Sequence, residues 1–284
     1  MNLAQLKSHN FKHIMAKQTE TKKKQSKGLS SALVILLSFI LGVIIYKFVF
    51  GSPSNFIDNN PDNNPLQGNM LGTIYKGGFV VPILLTWLLS VIVLSVERWI
   101  AINRCRGKAD LTKFVSRVKE KLEAEDITGA KELCAKQKGS VAAVVNAGLD
   151  TYKLMTNDTT GLSKEQKVVT INKTIEEATA LEMPTMNQNL PVIATFTALG
   201  TLTGLFGTVL GMIRSFSALA GEGGTDSAAL SVGISEALVN TAFGILTGAL
   251  AVISYNYFTA KIDNISYAID EIGFSIVGVF QSKH

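Results

Sequence analysis

Four long apolar blocks divide this chain, and each is long enough to cross a lipid bilayer as a helix. A transmembrane helix needs about 20 residues to span a hydrocarbon core of about 30 Å. Charges inside the blocks are rare, and Arg214 and Glu236 stand out because charged side chains are costly in hydrocarbon. The blocks are residues 31–50, 78–100, 186–220 and 230–258. They predict an all-α integral membrane protein with four transmembrane helices.

The first block is predicted to be a retained anchor. It follows the polar residues 1–30, a longer leader than secretory signal peptides carry. Its apolar stretch also exceeds the ~7–15 residues of a signal-peptide core. We therefore interpret residues 31–50 as an additional transmembrane helix.

The distribution of Lys and Arg predicts the topology. Residues 1–30 contain seven lysines and residues 101–185 contain fourteen Lys and Arg, whereas residues 51–77 contain only Lys76 and residues 220–228 contain none. Because positive residues accumulate on the cytoplasmic side, both termini and the long middle segment are predicted to be cytoplasmic. The net charge of +5 is then a topology signal. Nucleic-acid binding is not expected, because the basic run lacks interleaved aromatic residues.

The segments outside the spans are predicted to differ in structure. They are a basic cytoplasmic tail (1–30), a periplasmic loop (51–77), a cytoplasmic helical domain (101–185), a short periplasmic loop (221–229) and a cytoplasmic C-terminal helix (259–284). The Asn, Pro and Gly content of 51–77 favours turns, so we expect little structure of its own there. In the helical domain, Asp126 is predicted to cap a second helix, and Leu111, Phe114, Val115 and Val118 have helical spacing.

The last two spans are predicted to be very long helices that extend into the cytoplasm. From Lys164 to Met186 the charges give way to the third span without a clear break. The fourth span passes into a C-terminal segment whose isoleucines recur on one face.

Small residues form a face on each of these two helices. In the third span the glycines are spaced four, three and four, which confines them to a face about 60° wide. Such faces let membrane helices approach closely, so we predict a packing role. The glycines are Gly200, Gly204, Gly207 and Gly211, with Gly244 and Gly248 on the fourth span.

Hydroxyl groups form a second line on the third span, beside the glycines. It consists of Thr197, Thr201, Thr208 and Ser215. Each hydroxyl could bond to a carbonyl of its own helix. Alternatively, four on one line could border a polar path or a cavity for a partner helix.

The fourth span carries the most informative residue, Glu236, on a polar line with Asn240, Thr247 and Ser254. A carboxyl group in hydrocarbon should be protonated, paired or in contact with water. Arg214 is the candidate partner, and the simpler alternative is an acid at the membrane interface. Thr241 lies off this polar line.

The sequence contains no recognisable catalytic motif. It has two cysteines, and its three histidines all lie in terminal segments. We therefore predict no enzyme activity, no metal site and no cofactor.

The segments "GLFGTVLGMIRSF" (204–216) and "GISEALVNTAFGIL" (233–246) resemble the ExbB/TolQ/MotA proton-channel family, and ExbB most of all. The resemblance covers roughly residues 80–260. It implies a homo-oligomeric ring, usually a pentamer, in the bacterial inner membrane, around the transmembrane helices of an ExbD-like partner that carries the proton-binding aspartate. Proton flow would then drive a TonB-like protein. The family's pore-lining threonines correspond to Thr208 and Thr241, and its intramembrane glutamate to Glu236.

The chain departs from the family pattern in two ways. Family prolines near the middle of the last two spans are replaced by Thr201 and Leu250, and residues 31–50 add a span to the usual three. The alternatives left open are a TolQ-like role, a gliding-type motor and a non-conducting scaffold. A secondary transporter is disfavoured, because inverted repeats and broken helices are missing from the pattern.

Overall fold

The computed structural model describes residues 30–159, 161–220 and 227–284. The predicted N-terminal tail (1–30) and short loop (221–229) fall largely outside the described residues. Four helical stretches in the described part are long and apolar enough to cross a membrane, as the sequence predicts. These stretches are Ser31–Phe50, Val80–Glu123, Lys164–Leu219 and Ser227–Lys283.

The described residues are helical, apart from turns and one isolated bridge between Phe56 and Pro65. A π-helical segment, Ile45–Phe50, continues the first helix. The helices are α1 (Ser31–Ile44), α2 (Met70–Tyr75), α3 (Val80–Arg106), α4 (Leu111–Glu123), α5 (Ile127–Gln137), α6 (Gly139–Thr156), α7 (Lys164–Asn187), α8 (Leu190–Leu219) and α9 (Ser227–Lys283).

The glycine face of α8 packs against α9 along the membrane segment. A Cβ on Gly204 would lie 2.9 Å from the Cα of Gly244, and one on Gly211 would lie 2.7 Å from the backbone nitrogen of Ala237. Larger side chains would force the two backbones apart, so the small residues account for the close approach.

A helical bundle continues beyond the spans, where α4, α6 and α7 pack against α9 and α5 packs against α4 and α6. Its fully buried side chains include Val118, Leu122, Leu149, Ile272 and Phe280. Asp126 caps α5 by accepting a hydrogen bond from the backbone N–H of Gly129 at 2.7 Å, which confirms the predicted cap.

The expectation of an unbroken helix from Lys164 into the third span is wrong. α7 ends at Asn187 and α8 begins at Leu190, with Asn189 in the left-handed conformation at φ 64°. Pro191 lies in the first turn of α8, where its missing N–H costs nothing. Asn tolerates the left-handed conformation better than most residues, so the chain turns at this point.

Residues 51–79, called the cap below, have more structure than their composition suggests. Phe56 is only 1% exposed, and the short helix α2 is capped by the side chain of Asn69. The side-chain amide of Asn55 donates to the carbonyls of Val49 and Phe50 at 2.8 and 3.0 Å. Asn side chains here replace the backbone hydrogen bonds that turns leave unmade.

Candidate functional site

Glu236 lies on the inner face of α9 and is fully buried. Its Oε2 accepts a hydrogen bond from Nη1 of Arg214, which comes from the last turns of α8. The pairing is asymmetric, since the Arg214 side chain is 56% exposed. The acid is thus withdrawn from solvent while its base remains accessible.

The second carboxylate oxygen of Glu236 is buried and finds no hydrogen-bond partner within the described residues. It faces the backbone of the cap at Gly78, where a Cβ would overlap Oε1. Gly78 also has φ +77°, a conformation that L residues rarely adopt. A buried carboxylate oxygen without a partner is unusual and marks a functional candidate.

Asn240 ties the same part of the cap to α9. Its Nδ2 donates to the carbonyl of Gly77 at 3.0 Å, and its buried Oδ1 has no partner in the described part of the chain. The sequence put Asn240 on the polar line with Glu236 but assigned it no role. Its partner, Gly77, is far away in sequence, so no local pattern could have revealed the contact.

Thr208 and Thr241 meet across the interface between α8 and α9, and their hydroxyls are hydrogen-bonded to each other. Each hydroxyl is also close to a carbonyl of its own helix, that of Gly204 for Thr208 and that of Ala237 for Thr241, both at 3.1 Å. The hydroxyl protons therefore have more acceptors than they can satisfy at once. Such a pair can reorient its hydrogen bonds without creating a charge.

The remaining predicted hydroxyls lie apart from this pair. Thr201 is exposed, and its Oγ1 donates to the carbonyl of Thr197 at 3.2 Å, which is local satisfaction within α8. Seven residues separate Thr201 from Thr208, a rise of about 10 Å along the helix. Thr197 and Thr201 are therefore separate from the Thr208–Thr241 contact in the described chain.

Glu236 and Thr241 face different neighbours, as their spacing suggests. Five residues on a helix give a rise of about 7.5 Å and a rotation of about 140°. Glu236 faces the cap and Arg214, whereas Thr241 faces Thr208. The site thus has two parts, a carboxyl part and a hydroxyl part, on the same pair of helices.

A second Arg–Glu pair, which the sequence did not reveal, lies in the C-terminal half of α3. Arg98 is 1% exposed, its Nε donates to Glu97 Oε2 at 2.6 Å, and its Nη1 donates to the carbonyls of Thr185 and Met186 at 3.2 and 3.4 Å. Asn189 donates from Nδ2 to the same carboxylate at 3.3 Å. We call these residues the Arg98 clamp, since they fasten the break between α7 and α8 to α3.

Comparison with known proteins bears on the hydroxyl and carboxyl parts together. Residues 136–271 match the model of the MotA/TolQ/ExbB proton channel family. The chain is therefore similar to this family over the segment that carries the candidate site. The match contains Arg214, Glu236, Thr208 and Thr241, and it begins after both α3 and the cap.

Individual members of the MotA/TolQ/ExbB family show the same likeness. The Tol-Pal system protein TolQ of Pseudomonas aeruginosa is 27% identical over 198 residues, which are 68% of this chain and 84% of TolQ. The biopolymer transport protein ExbB of Pseudomonas putida is 29% identical over 185 residues, 65% of this chain and 52% of that ExbB. ExbB of Salmonella typhimurium is 34% identical over 91 residues, 32% of this chain and 37% of that protein. This chain thus spans about half the length of the Pseudomonas putida relative.

The four apolar helices and the similarity to this family together indicate a multi-pass membrane protein. The relatives divide between TolQ and ExbB.

Proposed function

We propose that this chain is an ExbB-like subunit of an inner-membrane motor that is driven by the proton-motive force. With an ExbD-like partner, the motor would energise TonB-dependent transport across the outer membrane. In this proposal several copies, five by the family resemblance, form a ring around the partner's transmembrane helices. Both termini lie in the cytoplasm, as the Lys and Arg distribution favours.

The observation that carries the proposal is the hydroxyl pair of Thr208 and Thr241 between two spans, on the same pair of helices as a buried carboxyl group. An uncharged hydroxyl can pass a hydrogen bond to water or to a partner's carboxyl group inside an apolar tunnel. The partner helix supplies the acidic group that binds the proton. The ring supplies the hydroxyl surface, and Glu236 supplies a buried acid near its end.

The proposal is tested by replacing Thr208 with Val, which removes the hydroxyl and keeps the shape. Proton flux into proteoliposomes that contain this chain and its ExbD-like partner should fall to the background, and so should uptake through a TonB-dependent transporter. Thr195→Val is the matched control, because Thr195 is exposed on the same helix and bonds to the Pro191 carbonyl at 2.8 Å. A Thr208→Val protein that assembles normally and keeps full flux would indicate a non-conducting scaffold instead.

A TolQ-like role in envelope maintenance is the second candidate. It is favoured by the alignment to TolQ, which covers 84% of that protein against 52% of the Pseudomonas putida ExbB. Expression in strains that lack ExbB or TolQ, together with an ExbD-like partner, separates the two roles. Restored outer-membrane transport supports the ExbB-like role, and restored envelope integrity supports the TolQ-like role. If neither is restored, a gliding-type motor is the role to test next.

A further inference from the structure

The cap forms one wall of the Glu236 pocket, next to Arg214, because a Cβ on Gly78 would lie 3.8 Å from Nη1 of Arg214. The backbone at Gly78 covers Oε1 of Glu236, and the Gly77 carbonyl accepts the amide of Asn240 at 3.0 Å. A Cβ on Gly77 would lie 3.0 Å from Val239 Cγ1. The full burial of Glu236 therefore depends on a segment that belongs to neither α8 nor α9, the two helices that form the candidate site.

The first span holds this wall in place through Tyr46. The hydroxyl of Tyr46 donates to the carbonyl of Tyr75 at 2.9 Å. The two rings also stack, with centroids 4.7 Å apart and an angle of 24° between their planes. Tyr75 precedes Gly77 by two residues, so the position of its carbonyl fixes the start of the wall.

Further contacts make the cap a single unit around Tyr75. The ring of Phe56 meets the ring of Tyr75 edge to face at 5.5 Å. Nζ of Lys76 donates to the carbonyls of Pro61 and Asp62 at 2.9 and 3.0 Å. The cap therefore has little freedom to move at Tyr75 while the Tyr46 contact holds.

We propose that the first span is a positioning element for Glu236, and that Tyr46 is the positioning residue that keeps the Gly77–Gly78 wall closed over the carboxylate. This inference gives the additional span a role within the proposed function. With the wall in place, water reaches Oε1 only when the cap opens. Weakening the contact between Tyr46 and Tyr75 raises the fraction of time that the pocket is open to water.

The test measures access of water-borne reagents to position 236. A thiol is placed there by Glu236→Cys, and a charged, water-soluble maleimide is added to the protein in lipid nanodiscs. Peptide mass spectrometry assigns the label. The native thiols interfere little, since Cys105 and Cys134 are buried and burial raises the pKa of Cys134 to about 12.

The expected result is slow labelling of Glu236→Cys that becomes faster when Tyr46 is also changed. Tyr46→Phe removes one hydrogen bond and keeps the stacked ring, so the rate should rise about fivefold. Tyr46→Ala also removes the stacking and should raise the rate more than about tenfold. Phe48→Ala is the control, because Phe48 is 75% exposed in the same segment, and it should leave the rate unchanged.

Two results would overturn the inference. One is rapid labelling of Glu236→Cys while Tyr46 is intact, and the other is a rate that neither Tyr46 variant changes. Tyr46→Phe keeps the comparison valid even if Tyr46→Ala fails to accumulate in the membrane. Labelling does not require proton flow, so a negative result here leaves the proposed function standing, and loss of that function leaves this result intact.

Discussion

Two Arg–Glu pairs in the described residues, Arg98–Glu97 and Arg214–Glu236, use the same side chains in opposite ways. In the Arg98 clamp the base is 1% exposed and bonds to a carboxylate and two backbone carbonyls. In the Arg214–Glu236 pair the acid is fully buried and the base is 56% exposed. One carboxylate oxygen of Glu236 has no partner in the described residues. A fully satisfied buried charge is typical of a structural contact, whereas an incompletely satisfied one is available for a change of partner.

The largest expected effect comes from breaking the clamp with Arg98→Ala. This change leaves the carboxylate of Glu97 without its cationic partner and the carbonyls of Thr185 and Met186 without their donor. We expect the free energy of unfolding to fall by about 3–5 kcal/mol, the usual cost of removing one partner of a buried ion pair. Unfolding in mixed detergent micelles measures the difference, and Arg104→Ala, an exposed arginine of the same helix, should change it by less than about 0.5 kcal/mol. Equal stability of the two variants would contradict the structural role of the clamp.

A smaller decrease in the free energy of unfolding is expected for Glu97→Gln. The amide oxygen of Gln still accepts one hydrogen bond from Arg98, but the negative charge is lost. Because Glu97 is 16% exposed, water compensates for part of the loss. We expect a cost of about 2 kcal/mol in the same unfolding measurement, with proton flux per folded molecule unchanged. A loss of flux in protein of normal stability would mean that the clamp also takes part in transport.

Asn189→Gly should cost still less, about 1 kcal/mol, for the lost hydrogen bond to Glu97. Glycine adopts φ 64° without strain, so the break between α7 and α8 is preserved. Asn189→Val is the contrasting variant, since a β-branched residue strains this conformation, and it should be clearly less stable than Asn189→Gly. Similar stabilities for Gly and Val would show that the backbone at this break is not constrained.

The smallest effect on stability is expected for Glu236→Gln. The same substitution should cause the largest loss of proton flux. Removing the charge relieves the burial of an incompletely satisfied carboxylate, which offsets the lost pairing with an exposed arginine. The free energy of unfolding should change by less than about 1 kcal/mol while proton flux is lost. The measurement pairs flux in proteoliposomes with unfolding in micelles, and Glu97→Gln provides the reverse pattern. Retained flux in Glu236→Gln would remove this carboxyl group from the proton pathway.

Features that depend on composition or on periodicity could be predicted from the sequence. The four spans follow from apolar length, the glycine face of α8 follows from its spacing, and Asp126 was identifiable as a cap. Arg214 pairs with Glu236, a contact that the sequence offered only as a candidate because both residues lie near the same end of consecutive spans.

Features that depend on distant contacts could not be predicted. The clamp joins Arg98 to carbonyls 87 and 88 residues away, and no local pattern distinguishes this arginine from an interfacial one. The cap is ordered by contacts with the first span, which turn composition does not encode. The break at Asn189 had a signal, the nearby Pro191, but proline in the first turn of a helix is compatible with either a break or a bend.

The length of α9 has a mechanical consequence. Its 57 residues form one helix about 85 Å long, with Glu236 near one end and the bundle residues Ile272 and Phe280 near the other. A stiff rod of this length converts a tilt of 5° at the membrane into a displacement of about 7 Å at its far tip. A conformational change around Glu236 would thus displace the bundle end of α9 directly, because one continuous helix joins the two.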